Sequence, residues 1–389
     1  MARTDATRPD ELTYAPRPVS ATYFITGYPG FIGKRLVKHI VQVDPTSRMV
    51  LLVQPRYVKE ATQLVERLPS ANIEILSGDI CDMHLGLAGG EYQALAAEVT
   101  HVFHLAALSS LGMARDIARR VNVEGTRNVL ELARDSQQLQ RFVYFSTCYV
   151  SGDRVGVIAE DELEAGQRFR NHYEETKFEA EKLVQKAKAQ LPITIIRPSS
   201  VVGDSLTGEI ERFEGPYYLG MLLVLSPLVL PLPLPGNGVA PLNVVPVDFV
   251  VAATWALAKR PEAVGRTVHL VDPNPMSARR VYELIAERSN RKLPRFNLSA
   301  RAADVVLRIP GIEKLARPQR AAISYVNHLA LYNCHTALEL LDGTGVRCPP
   351  LQTYLDKLVD YAITAWKRRG AESRQAEVDD PLDRPASLK

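Results

Sequence analysis

The sequence predicts an α/β fold: a doubly wound parallel sheet with a mixed, mostly helical cap in its C-terminal half. Three observations lead there. Short apolar runs alternate with amphipathic stretches through the first 200 residues, the pattern of βαβ units. The first apolar run passes straight into Gly27, Gly30 and Gly33, a GxxGxxG turn. After Pro198 the alternation becomes irregular.

Strands are expected at 22–26, 49–53, 73–76, 101–105, 142–146 and 193–197. Helices are expected between them, near 31–43, 58–68, 91–98, 116–135 and 171–190. Six strands in this alternation indicate a Rossmann sheet spanning 21–200. A strand at 244–247, a helix at 250–258 and a strand at 267–271 are expected to return to it. Residues 201–369 are expected to form the substrate-binding cap, with helices near 277–289, 300–308, 318–341 and 351–369. Residues 1–20 and 370–389 are polar and contain proline, and are expected to be a disordered lead-in and tail.

Composition narrows the classes. The chain has 389 residues, 46% hydrophobic and 23% charged, which fits a globular protein and opposes disorder or a collagen repeat. Its 47 basic and 44 acidic residues leave +3, too small a surplus for a dedicated nucleic-acid binder. Four cysteines lie far apart without metal spacing, so no metal site is expected and a reduced, cytoplasmic protein is the reading. Residues 217–235 are almost wholly apolar, but Pro227, Pro231, Pro233 and Pro235 would break a membrane span. A helix near 216–226 followed by an extended strip is expected instead.

The glycine turn lets the backbone approach a pyrophosphate at a helix N-terminus. Phe31, Ile32, Leu36, Val37, Ile40 and Val41 supply that helix's inner face. The second strand ends Val53-Gln54-Pro55-Arg56, with no carboxylate for a ribose 2′-hydroxyl. Arg56, helped by Lys34 or Arg35, suits a 2′-phosphate, so NADP is favoured over NAD. Asp79, after the third strand, is a candidate acceptor for the adenine amino group. His104-Leu105-Ala106-Ala107 offers small residues where the backbone passes the cofactor.

Tyr173 and Lys177 lie four apart on one helix face. Of fifteen tyrosines only Tyr173 is followed by a lysine four positions on. A nearby ammonium favours phenolate, so Tyr173 could exchange a proton with a substrate oxygen. Lys177 could also hold the nicotinamide ribose. Strand five ends in Ser146-Thr147, and either hydroxyl could stabilise developing oxyanion charge.

With these motifs in order, residues 20–275 resemble the extended short-chain dehydrogenase/reductase family. The matching motifs are GYPGFIG, GDI, HLAA, Asn122-Val-Glu-Gly-Thr126, STCYVSGD, YEETK and Arg197-Pro198-Ser199. The resemblance implies Tyr173 and Lys177 as the catalytic pair. It places Thr147 at the serine/threonine position and gives Asn122 a part in ordering a proton-relay water. For the cofactor it implies Gly27, Tyr28, Gly30, Phe31, Ile32, Gly33, Arg56, Asp79, Ile80, Leu105, Ala106, Ala107, Lys177 and Pro198.

STCYVSGDRVGVIAEDEL, GQRFRNHYEETKFEAEKLV and Val245-Pro-Val-Asp248 are similar to the fatty acyl-CoA reductase and thioester reductase branch. That likeness implies NADPH reduction of an acyl thioester, carried on CoA or an acyl carrier protein, to aldehyde or alcohol. The 217–235 segment suits an acyl tunnel or a peripheral membrane contact. Residues 279–320 hold eleven Lys/Arg against four Asp/Glu, suited to CoA phosphates, an acidic carrier or anionic lipid. A homodimer is a further expectation. The alternatives are a ketone/alcohol dehydrogenase or sugar-nucleotide epimerase of the same family, and a non-enzymatic NAD(P) sensor. The presence of both Tyr173 and Lys177 opposes the sensor.

Overall fold

The computed structural model describes residues 21–69, 72–109, 113–210, 237–290 and 325–378. The lead-in 1–20, the apolar stretch 217–235, the helix expected at 300–308, most of the basic run 279–320 and the last part of the tail lie outside these residues.

The chain opens with β1 (Thr22–Thr26), α1 (Phe31–Val43), β2 (Arg48–Val53), α2 (Val58–Val65), β3 (Ile73–Ser77), α3 (Gly89–Glu98) and β4 (His101–His104). It continues through α4 (Arg115–Arg119), α5 (Gly125–Asp135), β5 (Arg141–Phe145), β6 (Gly156–Ile158), α6 (His172–Ala187), β7 (Ile193–Pro198) and β8 (Ser200–Val202). β9 (Val244–Pro246), α7 (Val247–Lys259), β10 (Thr267–Leu270), α8 (Ala278–Arg288), β11 (Ala330–Tyr332), α9 (His335–Leu341) and α10 (Leu355–Val378) complete it.

Seven strands form one sheet in the order β10-β7-β5-β4-β1-β2-β3, parallel at every pairing. Every residue of β1, β4 and β5 is buried, because helices cover both faces of a parallel sheet. On one face α1 inserts Leu36, Val37, Ile40 and Val41 at helical period, and α7 lies beside it. On the other, α3, α5 and α6 bury Leu95, Val129, Leu130, Ala180 and Val184. Strand order reverses direction between β1 and β4, where open α/β sheets bind ligands beyond the carboxyl ends of their strands.

Several elements differ from the sequence reading. The helix expected over 116–135 is divided: a π-helical turn, Arg120–Glu124, separates α4 from α5. Apolar periodicity runs through that turn, which is why it reads as one helix. Within 318–341 the described part holds a strand, β11, then the short α9. β11 pairs in parallel with β6, and β8 with β9, in two small sheets. At three residues each, these strands are too short to show a period-2 pattern. β9 therefore lies outside the main sheet, whereas β10 forms its edge. The tail expected to be disordered from 370 is helical to Val378. Among the described residues no helix is long and apolar enough to cross a membrane, and no group of side chains is arranged to hold a metal.

Candidate active site

The glycine turn is shaped by contacts that exclude side chains. Gly27 has φ +88°, and a Cβ there would sit 2.8 Å from the Ala106 nitrogen and the Leu105 carbonyl carbon. A Cβ on Gly30 or Gly33 would fall 2.7 or 2.6 Å from the Gly27 carbonyl oxygen. Only glycine fits three such approaches. Gly30 then caps α1 without any side-chain bond, and the first turn holds no acidic residue. The unpaired amides of that turn are thus offered to an anion. This cradle fits a dinucleotide pyrophosphate. Tyr28 is buried, and Phe31 and Ile32 are partly buried at the start of α1.

Beyond β2 and β3 the chain joins two of the sequence-predicted positions, Arg56 and Asp79. Arg56 is exposed and donates to Gln54 Oε1 from Nε at 3.1 Å and Nη2 at 2.7 Å. Gln54 Nε2 donates to Asp79 Oδ2 at 2.8 Å, and Asp79 Oδ1 accepts from the Cys81 amide. Gln54, passed over in the sequence, therefore bridges Arg56 and Asp79. Ile80 is buried and packs where Gly125 leaves no room for a Cβ. Arg35 lies over the Phe31 ring and pairs with Glu209.

At the end of β5 the two hydroxyls separate. Ser146 donates to Glu181 Oε2 at 2.5 Å in the interior. Glu181 also holds Arg197, with Nη2 at 2.5 Å, and both are essentially unexposed. Burial raises the Glu181 carboxyl, but Arg197, Ser146 and Gln185 outweigh it and the net shift is downward. Thr147 adopts an extended conformation, and its Oγ1 accepts from the Tyr149 amide at 3.3 Å, starting the short turn Cys148–Ser151. As an acceptor there, the Thr147 hydroxyl keeps its proton for donation.

Tyr173 stands on the first turn of α6, partly buried. Burial raises the Tyr144 and Tyr149 hydroxyls, and Tyr173 adds to both shifts, which puts it near each. Lys177, one turn on, is buried. Its Nζ donates to the Phe145 carbonyl at 2.6 Å and the Tyr144 hydroxyl at 3.0 Å, and lies 4.4 Å from the Tyr144 ring centroid. Burial lowers its pKa to about 7, opposed by Glu181. Tyr144 was not singled out in the sequence, since it reads there as a plain core strand residue.

Asn122, on the π-helical turn, ties the loop after β4 to α6. Its Oδ1 accepts from the Leu108 amide at 2.8 Å, and its Nδ2 donates to the Leu108 carbonyl and the Thr176 hydroxyl. A buried chain runs beneath. The Ala106 amide donates to Thr26 Oγ1 at 3.2 Å, which meets His104 Nδ1 at 2.8 Å. His104 Nε2 meets Thr126 Oγ1 at 3.0 Å, which donates to the Asn122 carbonyl at 2.7 Å. Since Thr126 donates onward, it accepts from Nε2–H, and Nδ1 accepts from Thr26. A single direction satisfies every group with neutral His104, and burial lowers its pKa to about 3. The sequence reading gave Leu105, Ala106 and Ala107 a part in cofactor binding and His104 none.

Pro198 ends β7, opposite Leu270 of β10. The glycine turn, Leu105–Ala107, Thr147 and Pro198 lie at the carboxyl ends of β1, β4, β5 and β7, so they share one edge of the sheet.

Residues 25–254 match the family model described as male sterility protein, an NAD-binding domain. The fatty acyl-CoA reductase wat of Drosophila melanogaster is 26% identical over 283 residues, covering 61% of this chain and 54% of that protein. The chain thus spans about half the length of this curated relative. The terminal R domain from the myxalamid PKS-NRPS biosynthetic pathway superposes with TM-score 0.73 at 26% identity, covering 88% of this chain and 92% of that one. A UDP-glucuronic acid 4-epimerase from Bacillus cereus, in complex with NAD, shares the fold with TM-score 0.63 at 18% identity, covering 88% and 96%. The chain belongs to the male sterility protein family, an NAD(P)-binding branch of the extended short-chain dehydrogenase/reductase fold.

Proposed function

We propose that the chain is an NADPH-dependent reductase of acyl thioesters, carried on CoA or on an acyl carrier protein. The observation that carries this reading is Lys177. Its Nζ is held on the Phe145 carbonyl, two residues before Thr147 and one helical turn from Tyr173. Three groups suited to carbonyl reduction therefore lie at the sheet edge that bears the glycine turn.

A nicotinamide bound at this edge supplies the hydride. Thr147 and Tyr173 donate hydrogen bonds to the thioester carbonyl oxygen and stabilise its developing charge. Tyr173 passes its phenolic proton to that oxygen, giving a hemithioacetal. The C–S bond then breaks as the hydroxyl proton returns to Tyr173, the sulfur takes a proton from water, and aldehyde and thiol leave. Lys177 has two of its three donors fixed on Phe145 and Tyr144, leaving the third for a ribose hydroxyl. Asn122 holds the loop after β4 against α6, and a relay water beside it is part of the same reading. Arg56 follows β2, where no carboxylate is available for a ribose 2′-hydroxyl, and this charge supports NADPH over NADH. The thioester class rests on the likeness to the fatty acyl-CoA reductase and the R domain.

The test is NADPH consumption with long-chain acyl-CoA and with acyl carrier protein substrates, alongside thermal shifts with UDP-sugars. One NADPH oxidised per thiol released is expected for reduction to aldehyde, and two for alcohol. No consumption with any thioester, together with stabilisation by a UDP-sugar, would replace this reading with the epimerase one.

A further inference from the structure

Tyr325 stands far beyond the family-matched residues 25–254, yet it touches both elements that carry the candidate catalytic hydroxyls. On the side of α6, its hydroxyl donates to Glu174 Oε1 at 2.6 Å and accepts from Asn171 Nδ2 at 2.8 Å. Asn171 is the N-cap of α6, its Oδ1 accepting from the Glu174 amide at 3.0 Å. On the side of Thr147, the Tyr325 ring meets the Tyr149 ring edge-on at 4.8 Å. Arg170 closes the group. Its guanidinium lies 5.4 Å from the Tyr325 ring centroid, and its Nη1 donates to the Gly152 carbonyl at 2.7 Å and to Glu174 Oε1 at 3.3 Å.

Glu174 directly follows Tyr173 and has no solvent exposure. Burying a carboxylate is costly unless it is paired and hydrogen-bonded. Here Tyr325, the Arg170 side chain and the Arg170 amide all serve it. The first turn is where a helix frays, and Tyr173 is the second residue of α6. A hydroxyl that must meet a substrate atom within a few tenths of an ångström needs that turn fixed.

We propose that Tyr325 is a positioning residue: it locks the first turn of α6 to the turn after β5, and so sets Tyr173 against Thr147. The site is then incomplete without the C-terminal segment. This inference rests on Tyr173 as the proton donor and is independent of the acyl group.

The test uses the full chain with Tyr325→Phe, which keeps the ring and removes the hydroxyl. Amide hydrogen exchange of 169–177 and steady-state kinetics with NADPH and acyl-CoA are the readouts. Exchange at 171–177 should rise about tenfold and kcat should fall about tenfold, with KM for NADPH within about twofold of wild type. Glu174→Gln keeps an acceptor for Tyr325 and should retain several times the kcat of Glu174→Leu, a rescue that also serves if Tyr325→Phe folds poorly. Unchanged exchange overturns the proposal, as does raised exchange with unchanged kcat. Should the wild type reduce no thioester, the acyl reading fails and the exchange result alone decides for or against Tyr325.

Discussion

Ser146 and Thr147 are adjacent at the end of β5 and serve different ends: Ser146 donates to buried Glu181 at 2.5 Å, while Thr147 accepts from the Tyr149 amide and retains its proton. Ser146→Ala should therefore lower stability by about 1–3 kcal/mol, since Glu181 loses a donor, and leave kcat within a few-fold. Thr147→Val should lower kcat by about 100-fold, the scale of a lost oxyanion donor, with little change in unfolding. Urea denaturation and turnover on both variants check this; the opposite pattern would assign the oxyanion contact to Ser146.

Lys177 is brought by burial to a pKa of about 7, well below the ordinary lysine value. It carries its charge below that pH and loses it above. If the ammonium assists Tyr173, kcat/KM for NADPH in the free enzyme falls as pH rises through about 7. Lys177→Met should lower kcat by at least about tenfold and remove that limb from the profile.

His104 and His269 are buried and held neutral, each lowered by burial to about 3. The unfolded chain binds more protons than the folded one between that value and about 6.5. Their stabilisation is complete above about 6.5 and is lost as pH falls toward 3. Each contributes up to about 1.4 kcal/mol per pH unit in that window. Urea midpoints should drop between pH 7 and pH 5. Constant midpoints would mean that the two rings are not held neutral.

Arg56 is exposed and is held by Gln54 and by the Tyr57 ring, whose centroid is 4.9 Å from the guanidinium, so changing it should disturb cofactor choice more than folding. Arg56→Glu should weaken NADPH by at least about tenfold, about 1.4 kcal/mol, and NADH by less than threefold. Fluorescence titration of both nucleotides measures it. Equal weakening of the two would remove Arg56 from the 2′-phosphate.

The parallel sheet and its glycine turn were legible because their causes are local. Continuous apolar strands, a 3.6-residue helix face and three crowded glycines each leave a mark within a short window. Spacing alone marked Tyr173 and Lys177 as candidates, whereas Asn122 and the choice of Thr147 over Ser146 came from the family resemblance. The bonds that fix them were not legible. Lys177 is held by Tyr144 and Phe145, and Thr26 reaches His104 across 78 positions. Glu174 and Tyr325 lie 151 apart, and neither stands in a pattern that names the other. The π-helical turn that presents Asn122 was hidden because one extra residue in a helix leaves apolar periodicity almost intact.

Tyr173 is the proposed proton donor in thioester reduction. The most direct measurement compares wild type and Tyr173→Phe for NADPH oxidation with a long-chain acyl-CoA, with NADPH affinity measured in parallel. A loss of at least about 100-fold in kcat is expected, with the NADPH dissociation constant within about threefold of wild type. Wild-type turnover in Tyr173→Phe would contradict it.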